Sequence, residues 1–211
     1  MKWSQVPLGV FQTNCYIIEK ENGDCLIFDP GSEGKKLINW LTKRNLKPTA
    51  ILLTHAHFDH IGAVDEVRDF YQIPVYLHEE EEEWLGNPQL NGSKFFKMQE
   101  PLRVKPADYI LKREEAFKLG DFEFFVYETP GHSPGSVSFY FEKEGFVVSG
   151  DALFKSSIGR TDLPGGNQSQ LLKSIHEKLL FLPEETLVLS GHGPVTTIGE
   201  EMDHNPYLNG F

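Results

Sequence analysis

The stretch Thr54-His55-Ala56-His57-Phe58-Asp59-His60 decides how the chain is read. Three histidines and an aspartate crowd into it, directly after the apolar run Ala50-Ile51-Leu52-Leu53. A short apolar run of this kind reads as a buried strand. In extended chain His55 and His57 project to the same side. Asp59 and His60 follow as the chain turns, before Gly62 opens an amphipathic stretch. Imidazole and carboxylate are ligands of a borderline divalent metal such as zinc. Four such groups are more than one metal usually takes from one loop. The spacing therefore points to two metals, or to one metal and a group that braces its ligands.

Matching ligands lie further along. His132 sits in Thr129-Pro130-Gly131-His132-Ser133-Pro134-Gly135, and His192 in Ser190-Gly191-His192-Gly193-Pro194. Asp151 closes Phe146-Val147-Val148-Ser149-Gly150-Asp151. Each follows an apolar strand, and the small residues around the two histidines let backbone approach a cofactor closely. His55, His57, Asp59, His60, His132, Asp151 and His192 suit two adjacent divalent metals, zinc first and iron or manganese next, with one carboxylate bridging. Such a pair, about 3.5–4 Å apart, lowers the pKa of a shared water enough for hydroxide to exist near neutral pH. His78, His176 and His204 read as surface or packing residues.

Around these loops the pattern is strand and helix in two rounds. Asn14–Glu19 and Cys25–Phe28 flank Asn22-Gly23, a strong hairpin signal, and the second strand ends at Asp29. Residues 33–44 carry Leu37, Ile38 and Leu41 at helical spacing, with Pro48 marking the exit before the metal strand. Ala63, Val64, Val67, Phe70 and Tyr71 form the stripe of the next helix, and Pro74–Leu77 a short strand. Residues 86–106 read as loop with short helical pieces. The second round runs through strands at Phe122–Tyr127, Val137–Phe141 and Phe146–Val148, a helix over Gln168–Leu180, and a strand at Thr186–Leu189. Asp29 and Asp151 are positional counterparts, as are His55 and His192. The repeat predicts two similar sheet-plus-helix halves packed face to face.

Composition narrows the function class. The 211 residues are 39% hydrophobic and 24% charged, the balance of one globular domain spanning 1–211. A net charge of −11 argues against a nucleic-acid partner. No apolar run approaches a membrane span, and no signal peptide is visible at the N-terminus. Cys15 and Cys25 read as reduced core thiols, and a cytoplasmic location is expected. The run Glu79-Glu80-Glu81-Glu82-Glu83 reads as the solvated first turn of a helix.

The ordered set His55-x-His57-x-Asp59-His60, His132, Asp151, His192 resembles the metallo-β-lactamase superfamily over nearly the whole chain. That resemblance implies an α/β fold, the four-layer αβ/βα sandwich. It implies one metal at His55, His57 and His132, a second at Asp59, His60 and His192, and Asp151 as the bridge. Asp59 and Asp151 are then catalytic carboxylates as well as ligands. The common lactamases of the superfamily place cysteine where Asp151 stands, and the flavodiiron branch has glutamate where His57 stands, so both readings fall.

Gly150-Asp151-Ala152-Leu153-Phe154 and Ile158-Gly159-Arg160 are similar to the glyoxalase II (hydroxyacylglutathione hydrolase) branch in its short, single-domain bacterial form, without the C-terminal helical domain that clamps glutathione. The implied reaction is attack of a metal-bridging hydroxide on a thioester of the S-lactoylglutathione kind. The implied partner is thus a small-molecule, glutathione-linked thioester, and Arg160 is the substrate-binding candidate. A salt bridge from Arg160 to Asp162 is the competing reading. Gly159-Arg160-Thr161-Asp162 is also similar to mononuclear iron persulfide dioxygenases, which makes an oxidoreductase the alternative.

Overall fold

The computed structural model describes residues 1–96 and 100–208, and the chain divides into two compact units, Met1–Leu111 and Lys112–Phe211. In the first, β1 (Lys2–Leu8), β2 (Thr13–Glu19) and β3 (Asp24–Phe28) run antiparallel. Then β4 (Lys47–Leu52), β5 (Val75–His78) and β6 (Tyr109–Leu111) extend the sheet in parallel. The Asn22-Gly23 hairpin is present. Gly23 takes a φ of 87°, and the Asn22 side chain accepts from the Asp24 amide at 3.0 Å.

Helices α1 (Gly34–Lys43), the single turn α2 (Phe58–Ile61) and α3 (Val64–Tyr71) complete the unit. Leu37, Ile38 and Leu41 of α1, with Val64 and Val67 of α3, share one core with Cys15, Ile17, Cys25, Ile27, Ile51 and Val75. Those strand residues alternate along the chain, as side chains on one sheet face must. Residues on the opposite face, among them Tyr16, Ile18, Leu26, Phe28 and Leu52, are buried as well. That is why the strands read as continuous apolar runs.

Two expectations shift. Pro48 does not precede the strand but lies within β4, opposite Cys25, where the register slips between Cys25 and Leu26. A residue without an N–H is tolerated where the ladder is already interrupted. Phe70 leaves the predicted stripe of α3 and is exposed.

In the second unit β7 (Glu115–Leu119), β8 (Phe122–Glu128), β9 (Val137–Phe141) and β10 (Phe146–Gly150) form an antiparallel meander. A small hairpin, β11 (Leu153–Phe154) and β12 (Ser157–Ile158), follows Asp151. Helix α4 (Gln168–Ser174) starts at Asn167, whose side chain accepts from the Gln170 amide, and widens into a π-helical turn at Ile175–Leu179. Strand β13 (Leu187–Ser190) adds in parallel to β10, β14 (Thr196–Thr197) closes that edge, and α5 (Ile198–His204) ends the fold. Leu171, Leu172, Ile175, Leu179 and Ile198 bury the helical face against Tyr140, Val147 and Val188.

Both units thus repeat one pattern: an antiparallel strand pair, an aspartate, a helix, and a parallel strand ending in histidine. The crossover is what brings the ligands together. A helix returning the chain to a parallel neighbour puts the two strands' C-terminal ends side by side. Phe28 pairs with Leu52, so Asp29 meets Thr54. Gly150 pairs with Ser190, so Asp151 meets His192. The strand β1 and the short elements β6, β7, β11, β12, β14 and α5 lie outside the predicted elements; β1 shows little apolar alternation, and the others are only a few residues long or carry little periodicity. The described residues of 86–106 are turn and coil, as read, but without the short helical pieces expected, and residues 97–99 lie outside the described residues. No described helix is long and apolar enough to cross a membrane.

Cys15 and Cys25 are both free and buried. Burial pushes the Cys25 thiol up to about 12 and raises that of Cys15 well above its usual value. The thiolate is the reactive form. Native protein at pH 8 is therefore expected to resist alkylation by iodoacetamide, with both thiols labelling once denaturant is added. Labelling of folded protein at the rate of a free thiol would contradict this packing.

Candidate metal centre

In the first unit the metal loop leaves β4 and turns into α2. His55 and His60 are fully buried, with ring centroids 4.1 Å apart, and the His57 ring lies 4.8 Å from His55. Asp29 organises them. Its Oδ1 accepts the Thr54 amide at 2.8 Å, and its Oδ2 accepts the Thr54 hydroxyl at 2.6 Å. The same Oδ2 lies 3.0 Å from His60 Nδ1. An ionised carboxylate has no proton to give, so His60 Nδ1 donates. The Thr54 hydroxyl has its proton on Asp29, so at 3.0 Å it accepts from His55 Nδ1. Both imidazoles thereby carry their proton on Nδ1, which would leave Nε2 as the nitrogen that could meet a metal. Asp29, His55 and His60 also offer three donor atoms close enough for one ion. The hydrogen bonds assign Asp29 instead to bracing, since its oxygens already take these protons. Asp29 reaches this position in a left-handed conformation, φ 49°, which aspartate tolerates better than most side chains.

Asp59, at the start of α2, is largely buried, and Thr13 on β2 donates to its Oδ2 at 3.0 Å. Its backbone carbonyl comes so close to Gly31 that a Cβ there would lie 1.7 Å away. The amide of the preceding residue, Phe58 N, donates to Asn91 O at 2.9 Å. Asn91 is itself buried, and its side-chain amide donates to the carbonyls of Trp84 and Leu102. The stretch after Gly86, silent in the sequence, therefore props the metal loop.

One acidic residue departs from its reading. Glu79–Trp84 is a 3₁₀ turn, and within it Glu81 is fully buried rather than solvated. Its carboxylate accepts the Ala56 amide, the link between His55 and His57. Side chains three apart eclipse in a 3₁₀ helix, so Glu81 faces inward with buried Trp84. That spacing was the available signal, masked by the surrounding charges. Trp84 in turn lies 5.6 Å from the His57 ring.

In the second unit His132, Asp151 and His192 come together. Asp151 Oδ2 lies 3.5 Å from His132 Nε2 and 3.6 Å from His192 Nε2. Those separations are long for hydrogen bonds. Two ligand atoms about 2.0–2.1 Å from one tetrahedral ion stand roughly 3.3–3.5 Å apart. His132 Nδ1 donates to the Arg160 carbonyl at 2.7 Å, which again leaves Nε2 to ligate. Gly159 admits the Asp151 carbonyl, where a Cβ would lie 1.9 Å away. Neutral imidazoles turned by their Nδ1 protons, beside oriented carboxylates, fit a divalent metal of the zinc or iron type.

Arg160 contributes its backbone to His132, while its guanidinium makes a two-pronged pair with Asp162, at 2.7 Å on each side. The pair holds the exposed Asp162 carboxyl down at about 2, so the bridge persists across the neutral range. His78 Nδ1 accepts the Glu80 amide, and exposed His204 lies near Glu200.

Asp29→Ala removes the acceptor for three donors. Misplaced partners behind a ligating histidine typically weaken metal binding 10–100-fold. Titration of the variant with zinc against a competing chelator should show a loss of that order. Wild-type affinity would mean the ligands orient themselves. Gly159→Ala should likewise lower bound metal per chain by displacing Asp151, whereas Gly86→Ala, where a Cβ meets nothing, should not. Equal metal content in the two variants would refute the close-approach argument.

The comparisons with known proteins agree with this chemistry. The sequence profile described as "Metallo-beta-lactamase superfamily" matches residues 8–192. A Bacillus subtilis (strain 168) protein named "Probable metallo-hydrolase YqgX" is 54% identical over 100% of this chain and 99% of its own length. "Hydroxyacylglutathione hydrolase GloC" of Haemophilus influenzae is 33% identical, covering 97% of this chain and 96% of its own. The crystal structure of "BLEG-1 B3 metallo-beta-lactamase" superposes with a TM-score of 0.97 at 57% identity, covering 99% of this chain and 100% of that one.

Proposed function

Because the chain belongs to the metallo-β-lactamase superfamily, we propose that this metallo-hydrolase is a dinuclear thioester hydrolase. In this reading His55, His57 and His132 hold one metal, Asp59, His60 and His192 the other, and Asp151 bridges. The observation that carries it is the donor set: imidazoles whose Nδ1 protons are taken up by Thr54, Asp29 and the Arg160 carbonyl, and a carboxylate oxygen nearly equidistant from two Nε2 atoms. When bound, the metals would acidify a shared water and polarise the substrate carbonyl.

The chain's own residues do the rest. Asp29 and Glu81 keep the histidine loop rigid. Asp59 Oδ2 accepts from Thr13 and lies 3.8 Å from His60 Nε2, so it is the oxygen proposed to ligate, and Oδ1 the atom proposed to hold the proton of the attacking water. A thiolate leaves readily and needs no general acid, which suits a site whose named groups are ligands and braces. Arg160 is proposed to meet a substrate carboxylate. It would share its guanidinium with Asp162 in doing so, and a glutathione-linked carrier would gain less from it than from an unpaired arginine. The resemblance to GloC supports this substrate class.

A second reading is hydrolysis of a β-lactam amide. The absence of cysteine at position 151 argued against it, but a structure described as a B3 metallo-β-lactamase is 57% identical over the full chain.

Elemental analysis paired with turnover of S-lactoylglutathione and of a chromogenic β-lactam tests these together. Two metals per chain and faster thioester cleavage are expected, with both activities lost on chelation. Asp151→Ala should fall below one metal per chain. Faster lactam turnover would favour the second reading, and one iron with oxygen uptake on a persulfide would replace both with the oxidoreductase. Full activity after exhaustive metal removal would sink the metalloenzyme reading altogether.

A further inference from the structure

Beside Asp59, in the first unit, lies an apolar pocket that the ligand set does not explain. Leu8, Val10, Phe11, Phe58 and Leu102 line it, and Asp59 and Thr13 sit at its polar end. Its volume is about 150 Å³. A dry apolar cavity of that size accommodates a benzene ring. Three aromatic rings brace one side: Phe11 lies 5.1 Å from Phe58 and 5.6 Å from Phe96, and Phe58 lies 4.8 Å from Phe96.

The outer wall is exposed and yet held in place. Val10 is 90% exposed and Phe11 43%. Both stand on the turn between β1 and β2. Gly9 and Gln12 take positive φ there, Gln12 N donates to Gly9 O at 3.2 Å, and Gly9 N donates to Glu33 at 2.8 Å. Glu33 is fixed in turn by Lys36 at 3.0 Å. Exposed apolar groups on an ordered turn remain unfavourably hydrated until something apolar covers them. None of the described lining residues is basic, so the wall offers no counter-charge to a carboxylate.

We propose that this pocket receives the acyl group of the substrate, and that the preferred acyl group is apolar, an aryl ring or a chain of about four to six carbons. The inference rests on the thioester-hydrolase reading and deepens it. An acyl carbon enters the pocket from its Asp59 end, which keeps the carbonyl beside the ligand carboxylate while the chain lies against Phe11 and Phe58. A polar group carried further along the acyl chain would lie against these rings, away from Asp59 and Thr13 at the polar end. Selectivity then follows the acyl side of the substrate more than the thiol carrier.

The test uses the metal-loaded enzyme and one small thiol esterified with acetyl, butanoyl or hexanoyl groups. Burying each methylene should raise kcat/KM about two- to fourfold. In Phe11→Ala that dependence should flatten to less than about 1.5-fold per methylene, by the same burial argument. A hexyl methyl thioether, which has no carbonyl to cleave, supplies a readout independent of turnover. Calorimetry should detect its binding to the wild type and about tenfold weaker binding to Phe11→Ala, since truncating a packed aromatic removes several methylenes' worth of contact. Equal kcat/KM for all three acyl groups, with no thioether binding, would overturn the pocket while leaving the hydrolase reading intact. Thioether binding sensitive to Phe11, with no thioester cleaved, would support the pocket and remove the hydrolase reading.

Discussion

The structure of the first unit turns on one buried carboxylate. Asp29 takes the Thr54 amide, the Thr54 hydroxyl and His60 Nδ1. These hydrogen bonds decide where the protons of His55 and His60 sit, and therefore which ring nitrogens can ligate. They also anchor Thr54, the second residue past β4, and so fix the direction in which the loop leaves the sheet. A buried carboxylate without such donors would be costly. The donors in turn would lack acceptors without Asp29, and the mutual dependence makes the loop rigid before any metal arrives.

The second unit solves the same placement problem with the same topology and a different chemistry. Asp151 follows β10 as Asp29 follows β3, but it faces two histidine Nε2 atoms rather than backbone and Nδ1 donors. The bracing that Asp29 supplies is taken over by the Arg160 carbonyl on His132. Buried Glu201, which accepts from Ser156, Thr196 and Asn205, ties α5 to the hairpin between Asp151 and Arg160. A glycine against an aspartate carbonyl, Gly31 on Asp59 and Gly159 on Asp151, is a second shared device, because both loops pack more tightly than any side chain allows. The repeat is therefore one of architecture, with braces and ligands exchanged between equivalent positions.

Recognition and chemistry draw on different parts of the chain. The donors and their braces come from strand ends, where position is fixed by the sheet. The apolar wall of the proposed acyl pocket comes from the β1–β2 turn, from Phe58 beside Asp59, and from Leu102 in the irregular stretch after Gly86, which also props the metal loop through Asn91. Arg160 stands apart from both: its backbone braces a ligand while its charge is engaged by Asp162.

Much of this was legible in the amino-acid sequence. The strand-to-loop transition at Leu53–His55, the aspartate after each hairpin, the long helices and the doubled order all follow from local patterns of two and 3.6 residues and from ligand chemistry. The two sheets and the family followed from them. What local pattern could not carry was the role of groups distant along the chain. Asp29 read as a counterpart of Asp151, although its partners are 25 and 31 residues away. Glu81 read as one solvated charge among five, although Ala56 lies 25 residues back. Phe11, Phe58 and Phe96 gave no periodic signal, since they come from three separate turns. Sequence alone determined which side chains offer metal-binding groups, because that is fixed by residue type. Tertiary structure alone decided that Asp29 braces while Asp151 faces two histidine Nε2 atoms, because that depends on the groups that long-range pairing brings to each oxygen.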